Sequence, residues 1–486
     1  MQMMKKAFKV VSFLLVCTLC LGGLNGVFKF KYGDGIESLQ TFYEQPKNSV
    51  DVLCLGSSRT FENINTGVLW DEWGMAAYDL AGSVQPFWNT YYYLQEALQS
   101  QSPSVIVLDV YRALETRDYA DQSRIAKNTF GMNVGIDKVE AKKVSSPEEG
   151  FLDYVLEFPL YHSRYADITS QDFSDHKGMK NRSSWKGFGI NFTSKSLKSN
   201  PDVSMVQERE PLAEKTEEYL YRIIQLAKDS GIPLIMVCSP YNISAADQKK
   251  YNTVEDIANE QGIPFLNYNL MYEETGLDFS GSESDLASDS HLNHRGNIKY
   301  SKHLGQWLSE HYDIPDRRGD EAYSSWQIDA DNNRALTNDQ EIKETSSFSE
   351  WVNRVGSSDR FTAILAFKGN YSSSGFTKVS DSLRALGIET DAISGDAVFV
   401  IQNGEMVFSS GDEAALWHGE THSGGMMVES SKDGTIIGFA YDDYQSVANG
   451  VTAFLYDDFT GKLVEVVGWN SGSYTTKTAI KADEVE

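Results

Sequence analysis

Short, mostly apolar runs alternate with helical segments between residues 33 and 315, and this alternation restricts the fold more than any other feature. The runs "VDVLCLG", "MAAYDLAG", "SVIVLDVY" and "IPLIMVC" each have the length of one strand. Between them lie segments such as "EKTEEYLYRIIQLAKDSG", whose apolar residues recur at helical spacing. Strands that are apolar throughout are typical of a parallel sheet covered on both faces. The sequence therefore predicts an α/β domain over residues 33–315.

Two stretches depart from this alternation. Residues 113–205 are polar and irregular, and an insertion of this length in a compact domain is usually a lid, a substrate-binding element or a flexible segment. Residues 316–344 are charged and show no periodicity, which is typical of a linker. We therefore expect the α/β domain to carry an insertion and to be followed by a linker.

The region after the linker has a different pattern. Strand-like runs dominate residues 345–472, and Asn403–Gly404 between two of them is a strong signal for a β-hairpin. The segment "TKVSDSLRALGI" predicts one amphipathic helix that ends at Gly387. These signals predict a second, smaller α+β domain over residues 345–472, with residues 473–486 as a tail.

The N-terminal segment, residues 1–32, has the composition of a membrane anchor. Lysines at positions 5, 6 and 9 precede about 19 uncharged residues, which is close to the length that crosses a bilayer as a helix. A cleaved signal peptide and an uncleaved signal-anchor both fit this pattern, and we favour the uncleaved anchor because no A-x-A cleavage site is evident. The lysine-rich start is then cytoplasmic and the bulk of the chain extracytoplasmic.

Charge and cysteine content exclude several classes of protein. The formal net charge is −26, which argues against nucleic-acid binding because no basic excess is present to neutralise phosphates. Two of the four cysteines, Cys54 and Cys238, lie beyond the N-terminal segment, each in an apolar run typical of a buried strand. No cysteine spacing predicts a metal site, and we expect no cofactor.

A nucleophile and a base occur at two strand ends of the predicted sheet. Ser58 follows the first strand directly, and the helix after it offers backbone N–H groups to a developing oxyanion. His291, in "SDSHLNHRG", follows the last strand and is a suitable base for a serine hydroxyl. Asp289 lies two residues before it, close enough to orient the imidazole. Each motif by itself also fits a simple turn or a polar loop.

Together, "VLCLGSSRTFENI", "YDLAGSVQP" and "DSHLNHRGN" resemble the SGNH/GDSL hydrolase family. The resemblance is to its extracytoplasmic branch of polysaccharide O-acetyltransferases and D-alanine transfer proteins. It implies a flavodoxin-like, three-layer α/β/α fold with a Ser-His-Asp triad. Ser58 matches the nucleophile, with Ser57 in the usual aspartate position, and Gly82 matches the glycine whose N–H completes the oxyanion hole with that of Ser58. His291 matches the catalytic histidine.

The resemblance leaves the acid and one oxyanion donor open. Asp289 matches the acid in the D-x-H spacing of the acetyltransferase branch, whereas the commoner D-x-x-H spacing places Ser288 there. The family's third motif usually supplies an asparagine, but this chain reads "LDVYRALE" at that place. Loss of one oxyanion donor typically costs about 10²–10³ in rate.

Substrate-binding candidates come from two places. Arg59 follows the nucleophile, and the insertion's dense cluster "EFPLYHSRYADI" offers Tyr161, His162 and Arg164. Aromatic rings stack on sugars, and an arginine binds a carboxylate or a pattern of hydroxyls. Packing within a lid explains the same cluster equally well.

The second domain weakly resembles the interleukin-like EMT inducer (ILEI/PANDER) domain, through "FTAILAFKGNYSSSGFTKVSDSLRALGI" and "VTAFLYDDFTGKLVEVVGW". The resemblance implies a small β-sandwich-like fold without catalytic residues, which is linked in some relatives to carbohydrate recognition.

These observations predict an extracytoplasmic, membrane-anchored serine acylesterase or O-acyltransferase. The expected substrate is an acylated glycan or polysaccharide of the cell envelope, and the expected partner is a multi-span membrane acyltransferase. Two alternatives stay open: an inactive SGNH-like surface protein that binds glycan, and a secreted esterase for small substrates.

Overall fold

The chain forms two compact units in the computed structural model, residues 1–331 and 332–486. Each unit has its own hydrophobic core. The structure describes residues 2–29, 33–174, 185–369, 374–389, 393, 395–411, 414–431, 434–471 and 474–482.

The first unit begins with helix α1 (Gln2–Phe28). Residues 6–28 of this helix have a mean hydropathy of 2.1, and none of the residues in its most apolar stretch is buried inside the protein. At 1.5 Å per residue, such a helix is about 35 Å long, enough to cross the hydrocarbon core of a bilayer. By length and composition, therefore, α1 is able to span a membrane.

A five-stranded parallel sheet forms the centre of the first unit. Its strand order is β2–β1–β3–β4–β5, the flavodoxin-like order. The first four strands coincide with the four predicted apolar runs. The strands are β1 (Val52–Gly56), β2 (Ala77–Ala81), β3 (Val105–Asp109), β4 (Leu234–Cys238) and β5 (Phe265–Asn267).

Helices cover both faces of this sheet. Leu53 and Leu55 of β1 belong to one apolar cluster, while Val52 and Cys54 belong to another on the opposite face. The predicted three-layer α/β/α architecture is therefore confirmed. The helices that follow α1 in this unit are α2 (Asp34–Tyr43), α3 (Ser58–Asn63), α4 (Thr66–Trp73), α5 (Phe87–Leu98), α6 (Gln122–Thr129), α7 (Ile136–Ser145), α8 (Phe151–Leu156), α9 (Phe158–Tyr161), α10 (Ser170–Ser174), α11 (Glu214–Asp229), α12 (Ala245–Gln261), α13 (Tyr272–Thr275) and α14 (His294–His311).

The insertion differs from its expected irregular character, because helices α6 to α10 all lie within it. Helix α7 packs on α5, and α6 packs on α2. Ala141 of α7 and Met132, between α6 and α7, belong to the main apolar cluster of the unit. These helices are short, and each buries only part of one face. A few apolar residues are therefore enough to hold them, although too few to show a clear helical period in the sequence.

The predicted linker also contains a helix, α15 (Ser324–Glu344), and the division between the two units falls within it. Its sequence is rich in Asn, Asp, Ser and Thr, which have low intrinsic helix propensity. The buried side chains Trp326, Ala330 and Ile342 show that tertiary packing overrides that propensity.

The second unit contains two antiparallel sheets, with the orders β15–β14–β13–β6–β7–β8 and β12–β11–β10–β9. Side chains from both sheets share one apolar cluster, so the sheets pack face to face. The α+β prediction is confirmed. The elements are α16 (Phe348–Gly356), β6 (Phe361–Lys368), α17 (Ser374–Ala385), β7 (Ala397–Gln402), β8 (Glu405–Ser410), β9 (Ala415–Thr421), β10 (Gly424–Ser431), β11 (Gly434–Phe439), β12 (Asp442–Gln445), β13 (Gly450–Asp457), β14 (Lys462–Asn470) and β15 (Thr478–Ala479).

The predicted hairpin turn joins β7 to β8. Asn403 and Gly404 have φ values of 51° and 75°, both left-handed, as a two-residue type I′ turn requires. The hairpin prediction is therefore confirmed at the residues that signalled it.

Candidate active site

Ser58 lies at the carboxyl edge of the parallel sheet, where β1 turns sharply into α3. Gly56 makes this turn possible, with a φ of 154° and no room for a side chain. A Cβ on Gly56 would lie 2.3 Å from Thr60 Oγ1 and 3.0 Å from Asp109 Cβ. Ser58 is the first residue of α3, so its amide belongs to the helix turn whose N–H groups have no intrahelical acceptor.

His291 lies in a tightly closed loop before α14. The Ala287 amide donates to the His291 carbonyl at 2.9 Å, and Asn293 caps α14 by accepting from two amides of its first turn. The Leu292 amide donates to Asn63 Oδ1 of α3 at 2.9 Å. Because Asn63 and Ser58 are on the same short helix, this bond fixes the histidine loop against the helix that carries the serine.

These two elements bring Ser58 and His291 together although they are 233 residues apart in sequence. Ser58 Oγ lies 2.9 Å from His291 Nε2, and His291 Nδ1 lies 3.1 Å from Ser288 Oγ. With its proton on Nδ1, the imidazole donates to Ser288 and accepts from the Ser58 hydroxyl. This is the hydrogen-bonding pattern of an activated serine nucleophile.

Asp289 does not take the position of a triad acid. Its carboxylate is exposed, forms a salt bridge with Lys195 and accepts a hydrogen bond of 2.9 Å from Asn242 Nδ2. These two partners lower the pKa of Asp289 below its usual value. The residue that contacts His291 Nδ1 is Ser288, at the position of the D-x-x-H spacing. Asp289 belongs to the surface side of the loop, because neighbouring residues in the turn point in different directions.

The surroundings of His291 favour its neutral form. Burial, followed by the positive charge of Arg59, lowers the pKa of His291 to about 4. One carboxylate lies near the reactive nitrogen: Glu62 Oε1 is 3.8 Å from His291 Nε2. Glu62 is one helical turn from Ser58 on α3, and Asn191 Nδ2 donates to its other oxygen at 3.0 Å. At neutral pH, therefore, His291 is unprotonated and able to accept a proton.

Arg59 lies beneath the site and is fully buried. Its guanidinium is sandwiched between the rings of Tyr111 and Tyr241, at 3.9 and 3.7 Å from their centroids. Nη1 donates to the Ser239 carbonyl at 2.9 Å, but Nε and Nη2 have no hydrogen-bond acceptor among the described residues. Arg59 was predicted to bind substrate, but its side chain has no exposed surface in this structure. It affects the site through its charge.

Gly82 follows β2, next to the end of β1. A Cβ at this position would lie 2.2 Å from Asn128 Oδ1 and 3.1 Å from the Cα of Gly35, so only glycine fits. At the place of the third motif the chain forms a short 3₁₀ turn, Tyr111–Leu114. The ring of Tyr111 packs on Arg59 there, and no asparagine is present.

The insertion's candidate residues are found at the end of α1. Tyr161 is fully buried and its hydroxyl bonds the side chain of Asn25, while Arg164 Nη1 donates to the carbonyls of Phe28 and Lys29 at 2.7 and 3.0 Å. These contacts place both residues at the end of α1, and their role in substrate binding stays a prediction. The side chain of His162 lies outside the described residues.

Sequence reasoning missed two residues that shape the site. Asn63 holds the histidine loop, and Glu62 places a carboxylate near the imidazole. The spacing of Glu62, four residues after Ser58 at the start of a helix, is a signal that it shares a helical face with the nucleophile.

Comparisons with known proteins give little further guidance. No protein-family model matches the chain, and no curated protein matches it. A protein of Bacteroides fragilis NCTC 9343, provisionally assigned as an acylhydrolase, is 15% identical with a TM-score of 0.28, covering 56% of this chain and 94% of that chain. A gut microbial diltiazem-metabolizing enzyme is 11% identical with a TM-score of 0.20, covering 54% of this chain and 48% of that one. Similarities this low carry no weight for fold or activity, which leaves the geometry of the site as the basis for a functional assignment.

Proposed function

We propose that this protein is a serine-dependent acylesterase or O-acyltransferase of the SGNH type that acts on acylated polysaccharide outside the cell membrane. The observation that carries the proposal is the 2.9 Å contact between Ser58 Oγ and His291 Nε2 at the carboxyl edge of a flavodoxin-like sheet. Open α/β sheets bind their ligands at this edge.

In the first step, Ser58 Oγ attacks the carbonyl carbon of an ester while its proton passes to His291 Nε2. Neutral His291 is ready for this transfer over the physiological pH range, because its pKa lies near 4. The imidazolium that forms lies 3.8 Å from the carboxylate of Glu62 and close to the Ser288 hydroxyl. Glu62 therefore supplies the compensating charge that a triad acid provides on the other nitrogen in related mechanisms.

The tetrahedral intermediate places a negative charge on the former carbonyl oxygen. The amides of Ser58 and Gly82 are the proposed donors, and the buried charge of Arg59 adds a favourable field from below. Arg59 thereby offsets part of what is lost with the asparagine of the third motif.

Collapse of the intermediate breaks the ester bond, and the leaving alcohol takes the proton from His291. The acyl group is then on Ser58. Water or a sugar hydroxyl attacks this acyl-enzyme and gives its proton to His291. The bond between the acyl group and Ser58 Oγ then breaks, Ser58 Oγ takes the proton back from His291, and acid or a newly acylated sugar is released. If the protein transfers acyl groups, we expect a multi-span membrane acyltransferase to supply the acyl group that is loaded on Ser58.

A cleaved signal peptide and a retained anchor would both place the sheet outside the membrane, and we propose that α1 is retained. The contacts of Tyr161 and Arg164 with the last turn of α1 support retention, because cleavage after α1 would remove Asn25, the partner of the buried Tyr161 hydroxyl, and the Phe28 carbonyl, one of the acceptors of Arg164. A signal-anchor with its lysine-rich end in the cytoplasm places the sheet outside.

A second candidate function is glycan binding without catalysis. It is favoured by one observation, that His291 Nδ1 contacts a serine hydroxyl rather than a carboxylate. Under this alternative, the Ser58–His291 pair is retained as part of a binding surface and has no nucleophilic reactivity.

The test that separates the two is mass spectrometry of the detergent-solubilised full chain after exposure to a fluorophosphonate. We expect one adduct on Ser58, absent in Ser58→Ala and strongly reduced in His291→Gln. Ser57→Ala is the matched control, because Ser57 is the buried neighbouring serine and should leave labelling intact. If the unmodified chain shows no adduct on Ser58, the catalytic proposal is wrong and glycan binding takes its place. If labelling succeeds, release of acetate from acetylated polysaccharide tests the substrate class.

A further inference from the structure

We propose that the segment around helices α8 to α10 is a membrane-contacting surface that seats the first unit on the bilayer crossed by α1. This inference rests on the proposed retention of α1 as an anchor. It assigns a lipid partner to a part of the insertion for which the catalytic site has no use.

The segment is attached to the end of the anchor. Helices α9 and α10 and the 3₁₀ turn between them, His162–Ala166, each contact α1. Arg164 donates to the carbonyls of Phe28, the last residue of α1, and of Lys29, the next residue, and it pairs with Asp172 at 3.2 Å. A cation at this end also interacts favourably with the helix dipole. The segment therefore surrounds the point where α1 leaves the bilayer.

The same segment exposes large apolar side chains. Leu152 and Leu156 of α8 are 69% and 65% exposed, Tyr165 is 75% exposed and Phe173 of α10 is 61% exposed. Helix α8 reads "FLDYVL", and none of its side chains is fully buried. Since α8 contacts α9, and α9, the 3₁₀ turn and α10 contact α1, these residues lie on neighbouring elements. An apolar surface next to a membrane-spanning helix is suited to the interfacial region of the bilayer.

The chain between the anchor and the body restricts their separation. Five residues join the end of α1 at Phe28 to the start of α2 at Asp34, a span of at most about 20 Å when fully extended. The first turn of α2 includes Gly35, whose Cα packs against Gly82 at the edge of the sheet that carries Ser58. The site is thereby held near the bilayer, which favours substrates presented at the membrane surface.

Depth-dependent quenching of the full chain in phosphatidylcholine vesicles tests the surface. In a Cys17→Ala, Cys20→Ala background, the remaining cysteines, Cys54 and Cys238, are buried and unreactive. Single Leu156→Cys and Phe173→Cys variants are labelled with the fluorophore NBD and exposed to lipids that carry a nitroxide on the acyl chain. Ser230→Cys is the matched control. Ser230 is exposed at the end of α11, just before β4, and so lies near the amino ends of the parallel strands, whereas Ser58 lies at their carboxyl ends.

We expect loss of most of the fluorescence at positions 156 and 173, with a shift to shorter wavelength, and little loss at position 230. The surface is refuted if the chain floats with the vesicles while all three probes behave as water-exposed. A shift to shorter wavelength without quenching also overturns it, since a protein partner then covers the segment. Failure to float overturns the anchor and the surface together, whereas loss of fluorophosphonate labelling affects only the catalytic proposal.

Discussion

Two arginines, fully buried Arg59 in the first unit and partly buried Arg360 in the second, show opposite ways of holding a positive charge inside a protein. Arg360 in the second unit is bonded to the carboxylates of Asp457 and Asp339 and to the carbonyl of Ala335. Arg59 in the first unit has one carbonyl partner and two tyrosine rings, and two of its nitrogens, Nε and Nη2, have no acceptor among the described residues.

The difference is one of electrostatic compensation. The carboxylates of Asp339 and Asp457 pair directly with Arg360 and neutralise its charge, as in a structural ion pair. Asp109, an acid whose charge acts on Arg59, is bonded instead to Ser239 and to the Tyr111 amide. The field of Arg59 therefore extends to His291, whose pKa it helps to lower. Incomplete compensation of a buried charge is common where a protein stabilises charge that appears during a reaction.

Arg59 is proposed to act on the reaction through His291, so the largest effect on the labelling of Ser58 is expected from His291→Gln. Removal of the base should slow phosphonylation of Ser58 by about 10²–10⁴-fold, the usual contribution of a positioned general base. The measurement is the second-order rate of fluorophosphonate labelling. Hydrogen–deuterium exchange of β13 in the second unit serves as the control and should not change. A rate within a few-fold of the unmodified chain would mean that His291 does not activate Ser58.

The corresponding change in the second unit is Asp457→Asn. Asp457 is fully buried and pairs with Arg360, so loss of its charge should lower the free energy of opening by about 3 kcal/mol. Exchange of the β13 amides should become about 100-fold faster in consequence. Labelling of Ser58 should be unaffected. Unaltered exchange would show that Asp339 alone compensates Arg360, and the contrast between the two arginines would weaken.

Arg59→Met examines the uncompensated charge directly. Removal of a nearby positive charge favours protonation of His291, so its pKa should rise from about 4 toward its ordinary value. Labelling should fall with decreasing pH around pH 4 in the unmodified chain, and about one pH unit higher in the variant. At pH 8 the rate should be about tenfold lower, because the developing oxyanion loses a favourable field.

Arg209→Met is the control for this variant, because Arg209 is an exposed residue of the same unit and pairs with Asp256 at the surface. Its pH profile should match that of the unmodified chain. If Arg59→Met leaves the acidic limb in place, the buried charge has no influence on the imidazole and its role is structural.

The parts of this molecule that the sequence predicted depend on local pattern and on the topology of parallel sheets. Apolar runs identified β1 to β4, and the carboxyl ends of parallel strands necessarily meet at one edge, which brought Ser58 and His291 into one hypothesis. The Asn403–Gly404 turn was predictable because few dipeptides accept two left-handed residues.

The parts that it did not predict depend on tertiary contacts. Helix α15 lacks the composition of a helix, and burial of Trp326 and Ile342 maintains it. The roles of Tyr161 and Arg164 are set by contacts with a helix about 136 residues earlier in the chain. Which of Asp289 and Ser288 contacts His291 Nδ1 depends on the direction of side chains within one turn, which the sequence does not show. Lys195 and Asn242 bind the Asp289 carboxylate at the surface.

Substitutions of Ser288 and Asp289 have the smallest expected effects. They test which residue supports His291 at Nδ1, the ring nitrogen that does not face Ser58. Ser288→Ala removes the partner of His291 Nδ1, and loss of one neutral hydrogen bond of about 1 kcal/mol should slow labelling about fivefold. Asp289→Asn should leave the labelling rate unchanged, because Asp289 bonds Lys195 and Asn242 instead of His291.

Ser288→Asp introduces a carboxylate next to His291 Nδ1, so it should raise both the pKa of His291 and the rate of labelling. If Asp289→Asn slows labelling more than Ser288→Ala, the loop rearranges in the reactive state and Asp289 is the triad acid after all.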